Sequence, residues 1–384
     1  MSPIPSYFCY HYGPRRTEAL QKDPAVRIRA ERDDLVDVLG RAARAVSARS
    51  PLPILQGLLV TVSGRVLRVT GTDLDVTVRT QLEVEVLEEG RTVVPARLIT
   101  EAARKLPSGA VVLQAEAGEV ELSGGGPRFR FREMAVDDFP TVAEADLKGG
   151  VEVDGDEFVR ALGQVMVAAS HDDARPVLTG IYFESHEGAL RLVATDSYRL
   201  ALRDVPAVRT TVAALIPARA LRELQRTVAA KKLSMAVGAR EASFGSDKGT
   251  LTVRLIEGTF PNYRQLLPAN YQNHLTVDRT ALLEGIGRAS LVAEDHIPIR
   301  LQLQSGGVEL SVTRQDVGGE TEHVPGDYQG DDMTIAFNSR YLNDGVDAVG
   351  DDQVVLDTID PLKPGVLRGA ESQDFLYLLM PVRL

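Results

Sequence analysis

Residues Pro51–Val60 read PLPILQGLLV and residues Ala174–Phe183 read ARPVLTGIYF, which sets Gly57 against Gly180 at a spacing of 123. The same spacing of 123 carries GTDLD, with Asp73, onto ATDSY, with Asp196. Farther along, VVPARLI returns as LIPARAL, with Arg97 matching Arg219 at 122, and DDFPTV returns as GTFPNY, with Phe139 matching Phe260 at 121. Four landmarks that keep their order and nearly their spacing over a domain's length are a duplication, and a repeat of that length decides the fold.

A third, more diverged copy follows in the same order. TVDRTALLEGIGRA from Thr276 resembles EVDGDEFVRALGQV from Glu152, HIPIRLQL resembles ARPVLTGIYF, and FNSRYL around Arg340 resembles IPARAL. The copies run about 26–147, 148–271 and 272–384, which suits a chain of 384 residues, too long for one core. The first 25 residues hold Pro3, Pro5, Pro14 and Pro24, show no helical period and belong to no copy, so they are expected to form a flexible extension.

Within each copy a short alternating stretch leads into an amphipathic helix, with Asp33, Asp156 and Thr280 as the expected caps. Leu35, Leu39, Ala42 and Val46 recur at helical spacing in copy one, and Phe158, Leu162, Val165 and Ala169 in copy two. Alternating β-branched and polar residues then announce strands, and a second helix starts near PAR and ends, in copy one, near Pro107. The expected fold is α+β: three repeated domains, each made of two helix-plus-β-sheet half-units joined through a continuous sheet.

Hydrophobic residues make up 44% and charged residues 25%, the balance of a globular protein. No apolar run approaches the ~18 residues that cross a bilayer, and no basic-then-apolar leader is present, so a cytoplasmic protein without membrane contact is expected. Cys9 is the single cysteine, which excludes an internal disulfide and any cysteine-rich metal site. The net charge of −11 argues against nucleic acid unless the cations gather on one surface. They recur in register: Arg97, Glu101 and Arg104 on one second helix, Arg219, Glu223 and Arg226 on the other, with Arg222 beside them. Copy three departs, because Asp344 and Asp347 follow Arg340.

ATDSYRLA (194–201), FPNYRQLLP (260–268) and the final YLLMPVRL (377–384), together with PLPIL, GTDLD, VPAR and DDFP in copy one, resemble the bacterial β sliding clamp family, the β subunit of DNA polymerase III. The resemblance covers about residues 26–384. It implies two subunits head to tail in a ring with helices inside and sheets outside, which encircles duplex DNA without reading sequence and tethers the replicative polymerase. A basic lining inside an acidic exterior would reconcile the net charge with DNA. The family's pocket for peptides of polymerase, clamp loader and other clamp-binding proteins maps, by resemblance, onto Leu178, Thr195, Ser197, Tyr198, Arg199, Leu200, Pro261, Gln265, Leu266, Leu378, Met380, Pro381, Val382, Arg383 and Leu384, with Arg199 and Arg383 at its rim. Ser197, Tyr198 and Gln265 depart from the residues common there. Its DNA contacts map onto Arg49 and Arg175. The strand carrying Phe129 and Phe131 is expected to meet the helix end at Leu291 and Val292 of a second copy.

Enzyme readings find little support. His171-Asp172-Asp173 lacks a second His or Cys at ligand spacing. Gly124-Gly125-Gly126 lacks the Lys-Ser/Thr of a phosphate loop, and no Ser stands in a GxSxG setting. Neither catalytic residue, metal nor cofactor is expected. The remaining alternative is a repeat-built adaptor that binds proteins without encircling DNA.

Overall fold

A computed structural model describes residues 25–47, 50–206, 208–293 and 297–383. The N-terminal extension, Arg49 and Leu384 lie outside the described residues. Each copy contributes two helices: α1 (Arg32–Ala42) and α2 (Ala96–Lys105), α3 (Gly155–Met166) and α4 (Ala218–Thr227), α5 (Arg279–Ser290) and α6 (Ser339–Ala348). Each turns one stripe to the core, as α3 does with Phe158, Ala161, Leu162 and Val165. The helices pack side by side in one row, in the order α2, α1, α4, α3, α6, α5.

The sheets are continuous between copies. Val76–Glu83 of copy one pairs antiparallel with Gly249–Arg254, the last strand of copy two, Val78 facing Leu251. By the same rule Arg199–Val205 of copy two pairs with Phe375–Leu379, the last strand of copy three, Ala201 facing Tyr377. The two halves of copy one or copy two therefore belong to different sheets, not to the single sheet expected within each domain. Only in copy three does one long strand, Gly318–Gln329, bridge both halves. The reason is economy of edges: a half-unit's last strand finds its partner in the neighbouring copy, so the joint needs no separate cover.

Helix contacts repeat the rule. Arg41 donates to the Thr227 carbonyl across the first junction, and Gln164, its counterpart, donates to the Ala348 carbonyl at 2.7 Å across the second. Val76 and Val78 of copy one enter the same apolar cluster as Phe158 and Phe244 of copy two and Leu356 of copy three, so burial as well as hydrogen bonding crosses the joints.

Two strands of this pattern lack the partner that their counterparts have. Arg128–Arg132, the last strand of copy one, is an edge of the five-stranded sheet. The first half of Gly318–Gln329 pairs with Gly307–Arg314 on one side only.

The caps fall earlier than the sequence suggests, because strand runs directly into helix and the last strand residue becomes the cap. Asp154 accepts from the Glu157 N–H at 2.9 Å, and Asp278 accepts from the Ala281 N–H at 2.8 Å. Asp156 and Thr280 lie inside the first turns. In α1 the cap position is Glu31 with no side-chain bond, while Asp33 pairs with Arg32 at 3.0 Å. Asp278→Ala should therefore lower unfolding stability by ~1 kcal/mol, and Thr280→Ala should stay within ~0.5 kcal/mol. Urea denaturation followed by circular dichroism checks this, and the reverse ranking would refute the cap assignment.

Candidate partner-binding site

The turn from Thr195 to Arg199 is built by its own side chains. The Thr195 hydroxyl donates to the Arg199 carbonyl at 2.7 Å, and the Asp196 carboxylate accepts from the Tyr198 and Arg199 N–H groups at 2.9 and 3.0 Å. These bonds hold Ser197 at φ 82°, in the left-handed region, and so aim Tyr198 outward, 59% exposed.

Arg199 turns inward instead of standing at a rim. Its Nε donates to Asp196 at 3.0 Å, its Nη1 to Asp344 at 2.6 Å and to the Tyr377 hydroxyl at 3.2 Å, and its guanidinium lies 4.2 Å from the centre of the Tyr341 ring. Burial alone would lower the Arg199 pKa, but Tyr377 and the carboxylates of Asp344 and Asp196 outweigh it and hold the cation above its ordinary value. Burial pushes the Tyr377 hydroxyl up. A desolvated cation needs this full set of partners, which is why Arg199 leaves the surface. It also explains the acidic departure of copy three: Asp344 answers Arg199 and Asp347 answers Arg279 at 2.9 Å.

Around this turn the structure brings together most of the positions expected to form a pocket. Leu200 faces Leu378 across the strand pair, and both are buried with Phe260 and Tyr263 in one apolar cluster. The Met380 N–H donates to the Tyr198 carbonyl at 2.9 Å, and the Val382 N–H to the Ala336 carbonyl at 2.8 Å, which ties the C-terminal segment down beside the turn. Leu178 is buried at the end of the short helical turn Pro176–Leu178. Thr195 is also buried, its hydroxyl committed to the turn. Tyr198, Leu266 and Met380 are exposed apolar side chains above this floor, with Pro261, Gln265, Val382 and Arg383 exposed and Pro381 half-buried.

The wall that carries Pro261, Gln265 and Leu266 is anchored by groups the sequence did not single out. Phe260 stacks on Tyr182 at 5.1 Å, the Tyr263 hydroxyl donates to Glu184, and Arg264 donates to Glu184 at 2.7 Å. Burial and the Glu184 carboxylate push the Tyr263 hydroxyl up to about 12. Glu184 sits in a strand of alternating pattern, so its sequence context reads as an ordinary solvent-facing residue.

The expected cationic positions divide. Arg97 pairs with Glu101 at 2.9 Å, as the i,i+4 spacing suggests. Arg219 does not pair with Glu223; it reaches Asp75 at 3.0 Å, while Glu223 takes Arg44 at 2.7 Å and Arg226 at 3.4 Å. The reason is the junction, which presents carboxylates of copy one to α4. Arg104 is exposed and Arg222 half-buried. Arg175 pairs with Asp172 at 3.0 Å and donates to the Ser197 hydroxyl at 3.2 Å. The Ala174 N–H and Arg175 hold the Asp172 carboxyl below its ordinary value, and among the described residues no cluster of three His, Cys, Asp or Glu could hold a metal. Phe129 and Phe131 stack at 6.5 Å on the edge strand, Leu291 is 86% exposed beyond α5, and Val292 is half-buried.

Profiles of the DNA polymerase III beta subunit match the chain in order: the N-terminal domain over residues 26–143, the central domain over 152–262 and the C-terminal domain over 264–383. A beta sliding clamp of Streptomyces coelicolor is 32% identical over 94% of this chain and all of its own length. A beta sliding clamp of Pseudomonas putida is 30% identical over 92% of this chain and 99% of its own. The crystal structure of a DNA polymerase III beta-subunit clamp from Pseudomonas aeruginosa bound to griselimycin superposes with a TM-score of 0.89 at 28% identity, covering 94% of this chain and 100% of that one.

Because Arg199 and Asp344 are linked across the second junction, a double-mutant cycle on Arg199→Met and Asp344→Leu should give a coupling energy of ~1 kcal/mol or more. Asp347→Ala, which removes an exposed pair, should cost less than ~1 kcal/mol. Denaturant unfolding of the four chains of the cycle and of Asp347→Ala measures both, and additivity of the first pair would show the contact to be energetically idle.

Proposed function

The chain belongs to the DNA polymerase III beta-subunit family, the bacterial sliding clamps, and from that premise we propose how its surfaces serve a clamp's work. The protein is a non-catalytic processivity factor that encircles duplex DNA and tethers the polymerase. The observation that carries the assembly is the junction rule. Both internal joints pair the last strand of a first half-unit with the last strand of the next copy, and the two strands left over are Gly318–Gln329 and Arg128–Arg132. A second copy placed head to tail would join them by the same rule and close a ring of six domains.

Two details support that closure. Phe129 and Phe131 are half-buried on the edge strand, and Leu291 stands exposed where α5 ends beside the other edge. Glu320, on the free edge, has a carboxyl oxygen that is buried without a partner among the described residues, and burial raises its pKa. A donor from the second copy would satisfy it. The three domains are taken as 26–147, 148–271 and 272–384.

In such a ring the helix row faces the hole. Arg97, Arg104, Arg219, Arg222 and Arg226 on α2 and α4, together with Arg175 and Arg49, would meet phosphates and leave the bases unread. The pocket around Tyr198, Leu266 and Met380 would take extended peptides from the replicative polymerase, the clamp loader and other clamp-binding proteins. Among the described residues no helix is long and apolar enough to cross a membrane, and the cytoplasm is the proposed location.

After loading by the cognate loader, the protein should stay on closed circular DNA through a high-salt wash and be lost from linear DNA, since salt screens phosphate contacts but cannot open a ring. Leu291→Lys combined with Val292→Lys should give the monomer mass by light scattering and no retention. Equal loss of the wild type from both templates would sink the encircling role.

Deleting Met380 to Leu384 should abolish binding of a labelled polymerase-tail peptide in fluorescence anisotropy, because an anchor of this kind contributes ~2 kcal/mol, about thirtyfold in affinity. The dimer mass should be unchanged. Undiminished affinity would place the peptide elsewhere.

A further inference from the structure

The turn that shapes the pocket has a twin at the first junction. Thr72, Asp73 and Leu74 stand 123 positions before Thr195, Asp196 and Ser197. Leu74 has φ 78° against 82° for Ser197. The Thr72 hydroxyl donates to the Val76 carbonyl at 3.1 Å, and Asp73 accepts from the Asp75 and Val76 N–H groups at 3.0 and 2.7 Å. The strand that follows repeats the match: the Arg254 N–H donates to the Asp75 carbonyl at 2.8 Å, as Met380 does to Tyr198, and the Ile256 N–H to the Leu215 carbonyl at 2.8 Å, as Val382 does to Ala336. The backbone of a second peptide groove is therefore present, and a cavity of about 510 Å³ lies there, lined in part by Asp75, Arg254, Leu255 and Ile256, the counterparts of Tyr198, Met380, Pro381 and Val382.

Its chemistry is inverted. The floor pair Leu200 and Leu378 becomes Thr77 and Thr252, which face each other in the same register. The Thr77 hydroxyl is engaged with Thr72 at 2.9 Å, so the floor is polar and already hydrogen-bonded. In place of Tyr198 stands Asp75, and in place of Met380 stands Arg254; their charged groups lie 3.9 Å apart, with Arg219 at 3.0 Å from the same carboxylate. Seating an aliphatic or aromatic anchor here would strip water from three charges over a floor that has threonines where the other groove has leucines, and the Leu255 and Ile256 side of the cavity would have to offset that cost.

We propose that Asp75, Thr77, Thr252 and Arg254 are specificity-determining residues that close this twin groove to apolar anchors, so that each subunit presents a single peptide site. The inference rests on the pocket assigned above to the second junction. It gives the repeat a functional asymmetry: one turn geometry, kept in both copies for the joint it makes, supports binding in one place only.

The test is stoichiometry by isothermal titration calorimetry on the full-length dimer, with a synthetic extended peptide bearing one leucine and one phenylalanine anchor. The wild type should bind one peptide per subunit. The variant Asp75→Tyr, Thr77→Leu, Thr252→Leu, Arg254→Met should bind two, with its dimer mass and circular dichroism unchanged. If the floor substitutions unfold the chain, the surface pair Asp75→Tyr with Arg254→Met should still add a second site, roughly tenfold weaker than the first. A folded variant that binds one peptide overturns the inference and leaves the pocket standing, and so does a wild type that binds two. A wild type that binds none overturns the pocket and this inference together.

Discussion

Antiparallel pairing between the last strand of one copy and a first-half strand of the copy before it is the constraint on which the rest of this molecule depends. An unpaired strand edge exposes a row of N–H and C=O groups, and each half-unit here ends in such an edge. The chain resolves two of its edges internally, at Val78 against Leu251 and at Ala201 against Tyr377. The helices follow, because pairing fixes the distance between copies at which α1 meets α4 and α3 meets α6. In the proposed dimer a third joint of the same kind would come from a second chain, and closure of the ring would be the same physical event as its internal cohesion.

The second junction carries more than strand bonds. Arg199 is withdrawn from solvent and surrounded by Asp196, Asp344, Tyr377 and the ring of Tyr341, groups from two copies. A buried ionic network is a poor source of net stability, yet it is intolerant of displacement, since moving either copy strands a charge. Tyr198 and Met380 flank that network, so in the proposed pocket they would be held in one relative position before any peptide arrives. Pre-organisation of this kind lowers the ordering cost of binding. The first junction places Val76 and Leu251 at the positions of Arg199 and Tyr377, a plain apolar contact.

Much of this was legible in the sequence. Repeat spacing gave three copies, helical periods marked the stripes through Phe158, Leu162 and Val165, and the motifs ATDSYRLA and YLLMPVRL lie on two strands that pair. What stayed hidden was chiefly the contact between copies. No spacing rule connects Asp344 to Arg199 or Asp75 to Arg219, because their neighbourhood arises only after strands from different copies pair. The caps were misplaced for a local reason: without a turn between strand and helix, periodicity cannot tell the last strand residue from the first helical one. Arg199 was expected at the rim of a pocket mapped by resemblance, and Asp344, the acidic residue of copy three that draws it inward, lies 145 positions away.

The paired state of the helix arginines bears on how a ring can hold DNA and still move. Arg97, Arg219 and Arg226 each have a carboxylate within 2.9 to 3.4 Å in the free subunit. Contact with a phosphate would exchange one exposed partner for another, so the net gain per contact is small and falls with salt. Bare arginines would grip the duplex more strongly and resist translation along it. The proposed ring would not need that grip, since retention would come from topology and the helix face would have only to keep the duplex centred. The acidic total of the chain is then no obstacle to its role: charge is compensated locally at Arg97, Arg219 and Arg226, and the buried ionic network lies at the second joint between copies.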